Sequence, residues 1–184
     1  MHTSEQYDAV VKTCKDIFIK KTKDYGTSWR VLRTISVVDQ LYIKVQRVRT
    51  LQEAKVQMVS DDIPSEFLAI VNYGIIGLIQ LQFGNPVVEN LVPEQASQLY
   101  DEQIAFVKNT MLAKNHDYGE AWREMSQESF ADLILTKLLR IKQILDNKGQ
   151  TLISEGIDAN YTDIVNYAIF ALIKNKENAE KKNA

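Results

Sequence analysis

Apolar residues recur at helical spacing along almost the whole chain. No segment alternates apolar and polar residues as a half-buried strand does. Val10, Val11, Cys14, Ile17 and Phe18 mark the inner face of a first helix over residues 7–23. Val37, Leu41, Ile43, Val45, Val48 and Leu51 predict a second helix over about 36–58, with Asp39, Lys44, Arg47 and Arg49 on its polar side. The break Asp61-Asp62-Ile63-Pro64-Ser65 follows, and Pro64 suits a first helical turn. Residues 66–83 predict a strongly apolar helix. Gly74 and Gly77 on it allow another helix to come close, at some cost in helix propensity. Gly84-Asn85-Pro86 ends it, and Pro93 opens a helix running to Lys114 on Ile104, Val107, Met111 and Leu112. Ser126 or Ser129 can cap a helix reaching Asn147, Lys148-Gly149-Gln150 is a turn, and 160–174 is a last apolar helix. The polar stretch 174–184 reads as a frayed tail.

The pattern repeats. Lys21-Thr22-Lys23-Asp24-Tyr25-Gly26-Thr27-Ser28-Trp29-Arg30 returns as Lys114-Asn115-His116-Asp117-Tyr118-Gly119-Glu120-Ala121-Trp122-Arg123. Tyr7-Asp8 returns as Tyr100-Asp101, and Asp39, Lys44 and Arg47 return as Asp132, Lys137 and Arg140. One residue is then added, and Ile70-Val71-Asn72-Tyr73 returns as Ile164-Val165-Asn166-Tyr167. Such self-similarity means two copies of one structural unit. Neither copy can easily hide its last, very apolar helix alone, whereas two copies can bury theirs against each other. The expectation is an all-α fold: two tandem helical repeats, 1–86 and 94–184, packed as one pseudo-two-fold symmetric bundle. This is a covalent version of a homodimer, and a homodimer of the whole chain stays open.

The shared K-x-x-D-Y-G-x-x-W-R stretch closes a helix in each copy. Gly26 and Gly119 suit the left-handed position just past a helix end, and lysines suit the negative end of the helix dipole. Asp24 and Asp117 do not, unless they cap the next segment or meet a cation. Two readings stay open. One is a helix joint with Tyr25, Trp29 and their counterparts packed beneath it. The other is an anion or metal site lined by Asp, Lys and Arg.

Composition narrows the classes. With 22 Lys and Arg against 24 Asp and Glu, the net charge of −2 argues against a general nucleic-acid coat. The one cysteine, Cys14, excludes an internal disulfide, fits a core position and points to a reducing, cytoplasmic compartment. The first 20 residues show no secretory signal, and apolar stretches are read as stopping short of a membrane span.

Candidate chemistry concentrates in the second copy. Lys137 and Arg140 share a helix face, which suits one phosphate held by two cations and equally suits a solvated face. Glu155, Asp158 and Asp163 are hard oxygen ligands suited to Mg²⁺. Asp163 and Asn166 share a face, and Ala69 stands at the Asp163 position in the first copy. The alternative is that Asp163 and Asn166 hydrogen-bond inside the helical body. There is no nucleophilic triad, Cys/His cluster or Gly-rich phosphate loop.

These motifs resemble the nucleotide-modification-associated domain, type 1. The family's joint matches twice. Its acidic helix is similar to Glu155-Gly156-Ile157-Asp158 and Asp163-Ile164-Val165-Asn166-Tyr167-Ala168. Its middle element matches in part: Lys137 and Arg140 are present, but Thr136 stands where the family has Asp, as Ile43 does in the first copy. The architecture also looks like the MazG-type all-α nucleoside triphosphate pyrophosphatases, without their paired E-x-x-E element. The resemblance implies a small-molecule nucleotide partner and Mg²⁺ as cofactor. In that reading Glu155, Asp158 and Asp163 hold the metal, Lys114, Lys137 and Arg140 meet phosphates, and Tyr118 or Trp122 faces the base. The rival expectation is a non-catalytic helical interaction or scaffold module.

Overall fold

A computed structural model describes residues 2–54 and 62–183. It contains α1 (Thr3–Tyr25), a 3-10 turn (Ser28–Val31), α2 (Thr34–Glu53) and α3 (Ile63–Phe83), then α4 (Pro93–Tyr118), a second 3-10 turn (Ala121–Glu124), α5 (Gln127–Asp146) and α6 (Ile157–Asn183). Among the described residues there is no strand, and the fold is all-α. The expected end of the second helix at 58, and Asp61, lie outside the described residues.

Local chemistry sets the boundaries. Asp62 caps α3 by accepting the Ser65 N–H at 2.9 Å, with Pro64 in the first turn. Hydrogen bonds from the Ser65 N–H and hydroxyl hold the Asp62 carboxyl below its ordinary pKa. α1 and α4 stop at Gly26 (φ 67°) and Gly119 (φ 62°), a backbone region that favours glycine. The 3-10 turns after each joint carry no periodicity signal.

The frayed tail is a correction. α6 continues as a helix through this polar stretch because tertiary contacts hold it. Glu177 accepts from Gln6 at 2.7 Å and from Arg123 at 2.9 Å.

α3 and α6 pack along each other at the centre, flanked by α2 on α3 and α5 on α6. α2 also meets α5, and α1 meets α4. Each first helix touches the last helix of the other half, α1 on α6 and α4 on α3, which is the contact pattern of a pseudo-two-fold axis. The central crossing depends on glycine. A Cβ at Gly74 would lie 2.5 Å from Val165 Cγ2, and one at Gly77 would lie 2.7 Å from the Tyr161 ring. α3 corrects the reading of apolar stretches: by length and composition it could cross a membrane, and 67% of its apolar window is buried inside the protein.

Two matching polar braces join the halves. The Tyr7 hydroxyl donates to Asn166 Oδ1 at 2.8 Å, and Asn166 Nδ2 donates to the Val107 carbonyl at 3.2 Å. The Tyr100 hydroxyl donates to Asn72 Oδ1 at 2.8 Å, and Asn72 Nδ2 donates to the Cys14 carbonyl at 3.0 Å. Each asparagine therefore ties its own half's first helix to a tyrosine of the other half. Asn72 and Asn166 recur because the braces recur. On the surface Lys15–Asp101 (2.7 Å) and Lys108–Asp8 (2.6 Å) repeat the symmetry, each contributing at most about 1 kcal/mol.

Candidate functional site

The two joints share a scaffold. In the first, Arg30 is buried, lies 4.0 Å from the Phe83 ring centroid and pairs with Glu89 at 2.9 Å and with Gln80. Gln80 in turn donates to the carbonyls of Arg30 and Leu32 at 3.0 and 2.8 Å. In the second, Lys174 donates to the corresponding carbonyls, those of Arg123 (2.6 Å) and Met125. Arg123 bonds Thr3, Gln6, Glu120 and Glu177, so it anchors both ends of the chain. The motif arginines are structural. Asp24, Asp117, Tyr25 and Tyr118 all face solvent. Asp117 lies 3.1 Å from His116 Nδ1.

The second repeat gathers a charged group where α4, α5 and α6 meet. Asp163, on α6, accepts a hydrogen bond from Lys114 Nζ of α4 at 2.6 Å and forms an ion pair with Lys137 Nζ of α5 at 2.7 Å, one lysine on each carboxylate oxygen. The side chains of Asp163 and Lys137 are 10% and 13% exposed, whereas that of Lys114 is 50% exposed. Burial opposes the Lys114 charge. Its hydrogen bond to Asp163 and the negative charges of Asp163, Glu155 and Tyr167 outweigh this and raise its pKa above the usual lysine value. The Tyr167 hydroxyl is also pushed up, first by burial and then by Asp163, while Lys114 and Arg140 pull the other way. Arg140 stands exposed one turn beyond Lys137, and among the described residues no ion pair holds it.

Lys137 and Arg140 open onto a cleft of about 530 Å³ between α5 and the 150–156 loop. The amide side chains of Gln143, Asn147, Gln150 and Asn160 line it, with Glu155 at its wall. These amides are neutral and aperiodic, and sequence reasoning missed them. The one signal was Asn160 standing where the first copy has Glu66.

The expected Mg²⁺ triad does not fit this arrangement. Among the described residues no group of three His, Cys, Asp or Glu side chains comes together to hold a metal. Both Asp163 oxygens are taken by lysines. Asp158 lies in the first turn of α6, and its charge suits the positive end of that helix. The base contacts are divided as well. Trp122 is buried with the Phe170 ring stacked on it at 4.2 Å and 4°, so that ring already covers it. Tyr118 is 77% exposed and free to meet a ligand.

In the first repeat the same place is built differently. Ala69 replaces the acid and Ile76 replaces Phe170, and a cavity of about 440 Å³ lies among Trp29, Tyr73, Tyr25 and Lys21. Lys44 and Arg47 turn to the buried Glu66 instead, Lys44 at 3.8 Å.

Fold and cluster together define an all-α protein of two tandem helical repeats with a cationic group on the second. Residues 21–81 and 114–174 each match the family described as Nucleotide modification associated domain 1, and the chain belongs to that family. No curated protein matches the chain. No solved structure matches it either.

Proposed function

We propose that the chain binds a nucleotide at the cleft of the second repeat, and that its own acids hold no metal there. The observation that supports this is the pairing of Lys114 and Lys137 on the single carboxylate of Asp163, beside Arg140, which has no ion pair among the described residues. Asp163 fixes where the two ammonium groups sit, and each keeps donors to spare. Arg140 adds a planar fork suited to phosphate oxygens. Against the three cations stand Asp163 and Glu155, which leaves the group net positive. The amide-lined cleft beside it offers donors and acceptors for a sugar and a base. Membership of a nucleotide-modification-associated family supports the same ligand class. No group of three acids comes together among the described residues, and the reading favoured is therefore binding.

The rival is a non-catalytic scaffold in which Lys114, Lys137 and Asp163 only join α4, α5 and α6. The near-complete burial of Asp163 favours it. A thermal-shift screen of common and modified nucleotides, with and without Mg²⁺, separates the two. A ligand at one hundred times its Kd adds about 2.7 kcal/mol of stability, or roughly 5–10 °C for a chain of this size. The expected result is a shift with a nucleotide that does not require Mg²⁺ and is reduced in Arg140→Gln, whose own melting temperature is unchanged. No shift across the screen would select the scaffold.

A further inference from the structure

The internal repeat shows what is missing from the first half. In the second repeat the ring of Phe170 lies flat on Trp122, and the carboxylate of Asp163 sits between two lysines. At the matching positions of α3 the chain has Ile76 and Ala69, and both line the cavity of about 440 Å³ under the first joint. Trp29 also lines it. Its ring neighbour is Phe18, 6.3 Å away and tilted by 39°, and among the described residues no ring stacks on it. Lys21, the counterpart of Lys114, stands at the same cavity, and no carboxylate pairs with it among the described residues. One half thus supplies its own flat ring and its own anion, and the other leaves room for both.

We propose that this cavity is a second binding site, for a ligand that joins a planar aromatic ring to an anionic group. The ring stacks on Trp29 in the place Phe170 takes on Trp122. The anion meets Lys21 in the place Asp163 takes beside Lys114. Phe170 and Asp163 are seven residues apart on one helix face, so ring and anion lie about 10 Å apart along the axis. A nucleoside phosphate and an aromatic carboxylate on a short linker share this chemistry. Gln40 and Tyr73 on the cavity wall offer polar contacts to either. The site uses no residue of the cationic group in the second repeat and stands or falls without it.

The test is a titration of the full chain followed by the Trp29 indole N–H resonance, assigned with Trp122→Phe. The probes are AMP, ATP and indole-3-acetate. At least one should give saturable shifts of Trp29. Lys21→Gln should weaken that binding about tenfold or more, the share of one charge-assisted contact. Ile76→Phe with Ala69→Asp makes the first repeat resemble the second, an arrangement the fold already accommodates, and should abolish binding while the chain stays folded. Arg140→Gln should leave it intact, which separates this site from the cleft. Binding of AMP or ATP assigns a nucleotide, and binding of indole-3-acetate alone assigns an aromatic acid. No saturable shift with any probe, or binding that survives the folded double variant, overturns the proposal.

Discussion

Replacing Tyr7 by Phe removes one hydroxyl from the core and leaves the ring. The hydroxyl lost is the one that donates to Asn166 Oδ1 at 2.8 Å across the two halves. Both residues are buried, so water cannot readily take its place. The stranded acceptor costs about 1–3 kcal/mol, which lowers the melting temperature by roughly 2–12 °C at this chain length. Tyr100→Phe removes the donor to Asn72 Oδ1 as well, and should cost less because Asn72 lines the cavity under the first joint, where water can enter. The two hydroxyls meet different asparagines, so the double variant should lose about the sum. Tyr161→Phe is the control. Tyr161 is fully buried, but its hydroxyl has no partner among the described residues, so its removal should cost nothing or raise stability slightly. Urea unfolding followed by circular dichroism and by tryptophan fluorescence measures all four variants. The two signals should coincide, because repeats braced this way unfold as one unit. Equal losses in Tyr7→Phe and Tyr161→Phe, or two separated transitions, would refute the reasoning.

Other outcomes follow from the same contacts. Asp163→Asn should cost about 1–3 kcal/mol in thermal unfolding, reduced from a fully buried pair because Lys114 is half exposed. Gly77→Ala should lower the melting temperature, because its Cβ meets the buried Tyr161 ring and overpacking of about 1–3 kcal/mol exceeds the gain in helix propensity of about 1 kcal/mol. Alkali should destabilise the fold. Burial pushes the Cys14 thiol from 9.0 up to about 12 and raises the hydroxyls of Tyr7, Tyr100 and Tyr161. The unfolded chain then releases these protons first. Stability is therefore intact below about pH 9 and falls above it, by about 1.4 kcal/mol per pH unit for each group titrating. Cys14→Ala should move the onset of that loss in a pH series of urea melts towards pH 10.

The fold was legible because it is written twice. Periodicity placed the helices, and the repeat register paired Tyr7 with Tyr100 and Asn72 with Asn166 before any contact was known. What the register did not reveal is that these side chains bond across the halves, because a pairing between distant helices leaves no local spacing. The 3-10 turns and the helical tail escaped for the same reason. They are fixed by Gln80, Lys174, Glu177 and Arg123, each acting on a remote partner. At the site, the sequence assigned Lys114 and Lys137 to phosphates and Asp163 to a metal, and the structure pairs both lysines with that acid. Their roles were not legible, since a carboxylate holding two lysines and one awaiting a metal look alike in sequence. The first-repeat cavity follows from two departures, Ala69 for Asp163 and Ile76 for Phe170. Only the first of them stood out, because both Ile and Phe read as core.

Amide resonances of the labelled chain, titrated with ATP at low salt, test the binding proposal most directly. The expected result is a saturable set of shifts over residues 137–160 and Lys114, present without Mg²⁺ and reduced in Arg140→Gln. No saturable shift in that region, or the same shifts in Arg140→Gln, would contradict it.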